Sequence, residues 1–138
     1  ITGCLPVYGD RILLCKRAIA PRRGYWTLPA GFMENGETTA EGAVRECREE
    51  ANARVINTEL YAMIDIPHIN QVYLFFRGEL AAPEFSPGSE SLAVDLFREA
   101  DIPWDEIAFP SVHKTLEYFF QDRKAGKFRV RTDIVRRG

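Results

Sequence analysis

The segment from Glu41 to Glu50, EGAVRECREE, gathers four carboxylates and two guanidinium groups into ten positions. Thr38 followed three residues later by Glu41 is a capping-box pattern, so a helix is expected to begin near Thr39. Ala40, Ala43, Val44, Cys47 and Ala51 recur at helical spacing and form one apolar stripe for a core. Glu46, Glu49 and Glu50 then fall on an arc about 100° wide beside that stripe. Gly42 lies on the same arc and is expected to leave the surface open one turn earlier. Like charges at these spacings repel by roughly 0.2–0.5 kcal/mol per pair, and a bound cation reverses that sign. Hard divalent cations take oxygen ligands, Mg²⁺ in particular from a few carboxylates together with waters and phosphates. A solvated acidic face with incidental arginine pairs would have the same spacing. The preceding loop separates the two readings, because Asn35 and Gly36 form a turn that leads Gly31–Gly36 into the helix N-terminus.

The flanking elements that must position this helix are strands. GCLPVYGDRILLCKR reads as a hairpin turning at Gly9 and Asp10, with Pro6 placing its first strand at an edge or a bulge. AIAPRRGYW is a loop, and the glycines and proline of TLPAGFMENGE argue against regular structure there. ARVINTELYAMIDIP and QVYLFFRGEL are long strands joined near His68 to Asn70. AAPEFSPGSE is a loop, and SLAVDLF a further strand. PSVHKTLEYFFQDRKAGKF gives a second helix, opened by Ser111 and closed by Gly126. An α/β fold follows, with one mixed sheet packed between helices in a single domain spanning residues 1–138.

Composition narrows the function classes. A formal net charge of -2 provides no general attraction for nucleic acid or an anionic membrane, so an anionic substrate must be met locally. Cys4, Cys15 and Cys47 are odd in number and lack paired spacing, so neither a disulfide framework nor a zinc site is indicated, and a reducing cytoplasm is the default. No apolar run is long enough to span a bilayer. The abrupt start in strand-like residues suggests that an upstream piece is missing.

The spacing Gly31, five residues, Glu37, seven residues, Arg45-Glu46, two residues, Glu49-Glu50 resembles the Nudix box, G-x5-E-x7-R-E-U-x-E-E-x-G-U, where U is a bulky aliphatic residue. Asn52 replaces the usual glycine, Ala53 the final aliphatic residue, and Cys47 stands at the first U position. Asn is the residue that most nearly matches Gly in a left-handed helix-terminating conformation. The lead-in RILLCKR and GYWTLPAG, then IDIP, SPGSES, IPWDEIAF and the last helix, are similar to Nudix enzymes that cleave FAD and ADP-ribose. Members of that subgroup often carry an N-terminal zinc ribbon, and none is present in this sequence.

The resemblance implies an α/β/α sandwich and a Mg²⁺-dependent pyrophosphatase, with Mn²⁺ as a substitute. FAD or ADP-ribose would yield AMP plus FMN or ribose 5-phosphate. It implies Glu46 and Glu50 as metal ligands, Glu49 as ligand to a further metal or its water, and the carbonyl of Ala30 as a backbone ligand. Arg45 and Glu37 would fix the loop against the helix. The general base is left open between Glu49, Glu50 and Glu90. Homodimers are common among such enzymes. Arg17 is a candidate for bidentate phosphate binding, and Trp26, with Tyr25, for stacking on a base or flavin. His68 and His113 lack metal-like spacing, and Leu116, Phe119 and Phe120 are expected in the core. The basic run RKAGKFRVRTDIVRRG reads as a solvated terminal strand or tail. The rival functions are a non-catalytic nucleotide sensor and an RNA-decapping or RNA-binding protein.

Overall fold

The computed structural model describes residues 1–137. Strand β1 (Thr2–Tyr8) turns at Gly9 and Asp10 into β2 (Arg11–Arg17), and two short strands follow, β3 (Trp26–Thr27) and β4 (Ala30–Gly31). Helix α1 (Thr39–Ala51) comes next, then β5 (Val55–Ile66), a 3₁₀ turn at Pro67–Ile69, β6 (Gln71–Leu80) and β7 (Ser91–Arg98). Helix α2 (Pro110–Ala125) and β8 (Arg131–Ile134) complete the fold. The path through the mixed sheet is β3-β2-β1-β6-β5-β8, with β7 on the other side of β2 and β4 beside the start of β1.

Alternation along the strands separates two apolar layers. Leu5, Ile12, Leu14, Tyr61, Ile64 and Phe75 face Val112, Leu116, Phe119 and Phe120 of α2. Cys4, Leu13, Cys15, Val55 and Phe76 face Ala43, Cys47 and Ala51 of α1. Neighbouring strand residues point to opposite faces, so the two helices cover opposite sides of the sheet, as an α/β/α sandwich requires.

Pro6 does not mark an edge. β1 is interior, paired in parallel with β6 and antiparallel with β2. Its other side is shared, since Thr2 and Gly3 pair with β4 while only Val7 and Tyr8 pair with β2. The Cys4 amide donates to Pro29 on that side, and Pro6 falls in the gap beyond, where no ladder donor is required. The TLPAG stretch is also more regular than expected, because Ala30 and Gly31 join the sheet through β1.

Helix α1 begins as its sequence dictates. Thr38 accepts from the Glu41 amide and the Glu41 carboxylate accepts from the Thr38 amide. Asn52 closes it with φ 48° and ψ 38°. Helix α2 ends at Gly126, but Ser111 does not open it. Phe109 is the N-cap and Pro110 the first helical residue, a position that suits a residue with no amide proton. The basic run after α2 is tied down. Asp122, which is buried, accepts from Tyr61 Oη at 2.6 Å and pairs with Arg131, while Asp133 accepts from Tyr118 and from Lys114. β8 then pairs in parallel with β5.

Asp122→Ala is expected to lower folding stability by about 2–3 kcal/mol, because Tyr61 and Arg131 lose a shared buried acceptor. Urea denaturation checks this. A change within 0.5 kcal/mol, roughly that of an ordinary surface substitution, would mean that β8 is held by its strand pairing alone.

Candidate active site

Arg45 is the hinge between the Gly31–Gly36 loop and α1. Its guanidinium donates to both oxygens of Glu37, from Nε at 3.0 Å and Nη2 at 2.7 Å. Nη2 also donates to the Phe32 carbonyl at 3.1 Å, and Nη1 to Glu46 at 2.8 Å and Glu49 at 3.2 Å. These hydrogen bonds hold the Glu37 carboxyl down at about 2 and the Arg45 guanidinium above its ordinary value. Two glycines make room. A Cβ on Gly31 would sit 2.5 Å from the Glu46 carboxyl, and one on Gly42 would sit 2.8 Å from Glu37 Oε1. Gly42 is therefore buried under Glu37 and Thr2, and does not open the surface.

Glu46 and Glu50 lie against each other at the buried side of the arc. Burial raises the Glu46 carboxyl above its ordinary value. Burial, followed by the Glu46 charge, pushes Glu50 up to about 8, although the Ala30 amide donates to Glu50 Oε2 at 3.3 Å and Arg17 lies nearby. Glu49 is turned outward onto Arg45, with 55% of its side chain exposed. Among the described residues, no three carboxylate, imidazole or thiol groups stand close enough to hold an ion by themselves. The donor chemistry nevertheless fits a hard divalent cation. Burial and the neighbouring Glu46 charge both raise Glu50, and added positive charge relieves the like-charge repulsion and the burial cost together.

The carboxylates open on a cavity of about 1060 Å³, at the upper end of the range for small-molecule sites. It lies over one end of the sheet, where β2, β5 and β8 finish and β1 and β6 begin. Arg17, Ile66, Tyr73, Val135 and Ile1 therefore reach it from separate strands. Arg17 donates from Nε to the Pro21 carbonyl at 2.8 Å and stacks over Phe109 at 5.0 Å, and among the described residues its terminal nitrogens have no hydrogen-bond partner. Glu90 lines the cavity on the Ser86–Ser91 loop, and this loop is stitched to the end of α1. Gly88 donates to the Glu50 carbonyl at 3.0 Å, Ser91 Oγ to the same carbonyl at 2.9 Å, and Ser86 to the Ala51 carbonyl at 2.9 Å.

Trp26 is not brought into the cavity. Its ring packs edge-on against Phe97, with centroids 4.9 Å apart, on the core side of β3. The aromatic walls are instead Phe32, Tyr73 and Phe109. No local spacing pointed to these residues, nor to Ser111, Arg136 and Arg137, because they meet only when distant strands end together. His68 lines the rim, whereas His113 pairs with Glu117 at 2.9 Å on α2.

The NUDIX domain model matches residues 1–122. A NUDIX hydrolase from Nitrosomonas europaea superposes with a TM-score of 0.96 at 52% identity, over 99% of this chain and 77% of that one. An ADP-ribose pyrophosphatase from Streptococcus suis superposes with a TM-score of 0.75 at 25% identity, over 96% of each chain. The Nudix hydrolase YvcI of Bacillus subtilis (strain 168) is 35% identical over 81 residues, 55% of this chain and 49% of YvcI. The match thus spans about half the length of that curated relative.

A carboxyl whose pKa is higher in the folded than in the unfolded chain binds more protons when folded, so stability falls as pH rises between the two values. For Glu50 that window runs from the ordinary 4.5 to about 8. In EDTA the wild type is expected to lose roughly 2–4 kcal/mol across it, and Glu50→Gln to remove most of that slope. Denaturant titrations at pH 5, 6.5 and 8 read the difference. Equal slopes in the two proteins would show that Glu50 is not the group responsible.

Proposed function

Because the chain belongs to the NUDIX family, we propose that it hydrolyses the diphosphate bond of a nucleoside diphosphate linked to a second moiety. ADP-ribose and FAD are the favoured substrates, giving AMP plus ribose 5-phosphate or FMN. The observation that carries this reading is the Glu46–Glu50 pair, Glu46 buried and Glu50 half-buried, opening beside Arg45 on a cavity large enough for such a molecule. The likeness to a protein named as an ADP-ribose pyrophosphatase supports the choice of substrate.

In this proposal Glu46, Glu49, Glu50 and the carbonyl of Ala30 hold Mg²⁺, or Mn²⁺ in its place. When bound, the cation would neutralise the diphosphate and lower the pKa of the attacking water. Arg17 takes a phosphate oxygen with its free terminal nitrogens, backed by Phe109. Glu90 receives the proton of the water, from a loop whose backbone is fixed to the end of α1. Arg45 remains a positioning residue, since its N–H groups are already directed at Glu37, Glu46, Glu49 and Phe32. Homodimerisation and a cytoplasmic setting belong to the same proposal, the second supported by three buried free thiols. Among the described residues no helix is long and apolar enough to cross a membrane.

The test is a panel of ADP-ribose, FAD, NADH, CoA and a nucleotide sugar with Mg²⁺ and with Mn²⁺, the products being separated chromatographically. Glu50→Gln is expected to lower turnover by roughly two orders of magnitude or more while circular dichroism stays native, because a charge is removed at nearly constant volume. Wild-type turnover in that variant would remove Glu50 from the mechanism. Binding of ADP-ribose without cleavage of any panel member would point instead to a nucleotide sensor.

A further inference from the structure

The cavity is electrically divided. Its carboxylates, Glu34, Glu46, Glu49, Glu50 and Glu90, come from α1, the loop before it and the loop stitched to its end. The wall contributed by α2 and the chain after β8 has no acidic side chain among the described residues lining the cavity. It has Arg136 and Arg137. Neither arginine forms a salt bridge among the described residues, although acidic partners hold Arg131, Arg123 and Arg98 elsewhere.

The packing of α2 against β8 explains why these arginines are there. Asp122 meets Arg131, and Tyr118 and Lys114 meet Asp133, so the two segments run in opposite directions. Residues beyond β8 are thereby carried toward the first turn of α2. The Val135 amide donates to the Asp65 carbonyl at 2.8 Å and fixes the chain just before the arginines. Pro110, Ser111 and Val112 line the same cavity as Val135, Arg136 and Arg137.

That first turn keeps one spare donor. Phe109 offers α2 no side-chain cap, its carbonyl accepts from the Val112 and His113 amides at 3.1 Å each, and Pro110 has no amide proton, which leaves the Ser111 amide over. Ser111 is fully buried, and its hydroxyl has no hydrogen-bond partner. A buried hydroxyl in that state is costly unless something else satisfies it. The spare Ser111 amide, the orphan Ser111 hydroxyl and two arginines without an ion-pair partner among the described residues together present donors and positive charge, and an anion rich in acceptor oxygens matches that set.

We propose that this wall is a second phosphate subsite. Ser111, the first turn of α2, Arg136 and Arg137 bind a phosphate monoester carried by the substrate on the part remote from the scissile diphosphate. The substrate class is then a nucleoside diphosphate derivative bearing an additional phosphate. The inference rests on the hydrolase reading for the word substrate, but the subsite can be tested without turnover.

Calorimetry in EDTA would compare AMP with adenosine 2′,5′-bisphosphate and adenosine 3′,5′-bisphosphate on the wild type, the Arg136→Ala/Arg137→Ala double variant and Ser111→Ala. The wild type is expected to prefer one bisphosphate about tenfold, with a preference that weakens as salt rises. The double variant should bring the ratio close to one. Ser111→Ala should lower it severalfold without lowering the melting temperature, since an unpartnered hydroxyl contributes nothing to the fold. Equal binding of AMP and both bisphosphates by the wild type, or a preference untouched by the double variant, would overturn the subsite. Hydrolysis of ADP-ribose against ADP-ribose 2′-phosphate, and of dephospho-CoA against CoA, is measured separately in Mg²⁺. Failure to cleave any of them, with the bisphosphate preference intact, would defeat the hydrolase reading and leave the subsite standing.

Discussion

The guanidinium of Arg45 lies between five acceptors: the two oxygens of Glu37, one oxygen each of Glu46 and Glu49, and the carbonyl of Phe32, with Glu34 at 3.3 Å beside it. Without that charge the loop and the helix would present a set of carboxylates with nothing but water to separate them. The planar fork of arginine permits the bidentate grip on Glu37 while its remaining edge reaches Glu46 and Glu49. A lysine is a single point charge and could not satisfy both directions. The glycines of the segment serve the same arrangement. Gly31 lets the Glu46 carboxyl come against the loop backbone, and Gly42 lets Glu37 lie over α1. The acidic cluster is thus built around a cation that the chain supplies itself, with the Glu46–Glu50 pair left incompletely neutralised at its buried end.

The division of β1 between two neighbours turns this local device into a site. β4 takes the start of β1 and β2 takes its end, so the loop carrying Gly31 enters the sheet directly at the foot of α1. The same end of the sheet collects the finishing residues of β2, β5 and β8, and it is there that the cavity forms. The cavity receives Glu46, Glu49 and Glu50 from α1, and Arg136 and Arg137 from the chain after β8, beside the first turn of α2.

Much of this was legible because it is local. The capping box, the left-handed Asn52 and the hairpin at Gly9 each depend on residues a few positions apart and formed as read, and the apolar stripe of α1 formed at Ala40, Ala43, Cys47 and Ala51, with Val44 left half-buried outside the core. The readings that failed depended on distant segments. Pro6 was assigned to an edge from its missing amide proton, but a change of neighbour provides an interior place where that proton is not needed. Ser111 has the right chemistry for a cap, yet Pro110 before it suits the first helical position better and moves the cap to Phe109. Trp26 was offered for stacking, whereas Phe97, delivered by β7, takes its ring. The basic run does form the terminal strand expected of it, β8, but nothing local reveals that Asp122 on α2 draws Arg131 and that Lys114 and Tyr118 draw Asp133.

Asn52 replaces the glycine of the box and does more than tolerate a left-handed backbone. Its side-chain amide donates to the Ser86 carbonyl and hydroxyl at 3.1 Å each and to the Pro87 carbonyl at 3.4 Å. Glycine could supply the φ but none of these bonds. Gly88 completes the joint, because a Cβ there would fall 1.9 Å from the Glu49 carbonyl. The loop bearing Glu90 is therefore anchored to the C-terminal turn of α1, the same turn that carries Glu49 and Glu50. The departure from the family pattern strengthens the register between the loop glutamate and the helix glutamates, since both now ride on one hydrogen-bonded unit.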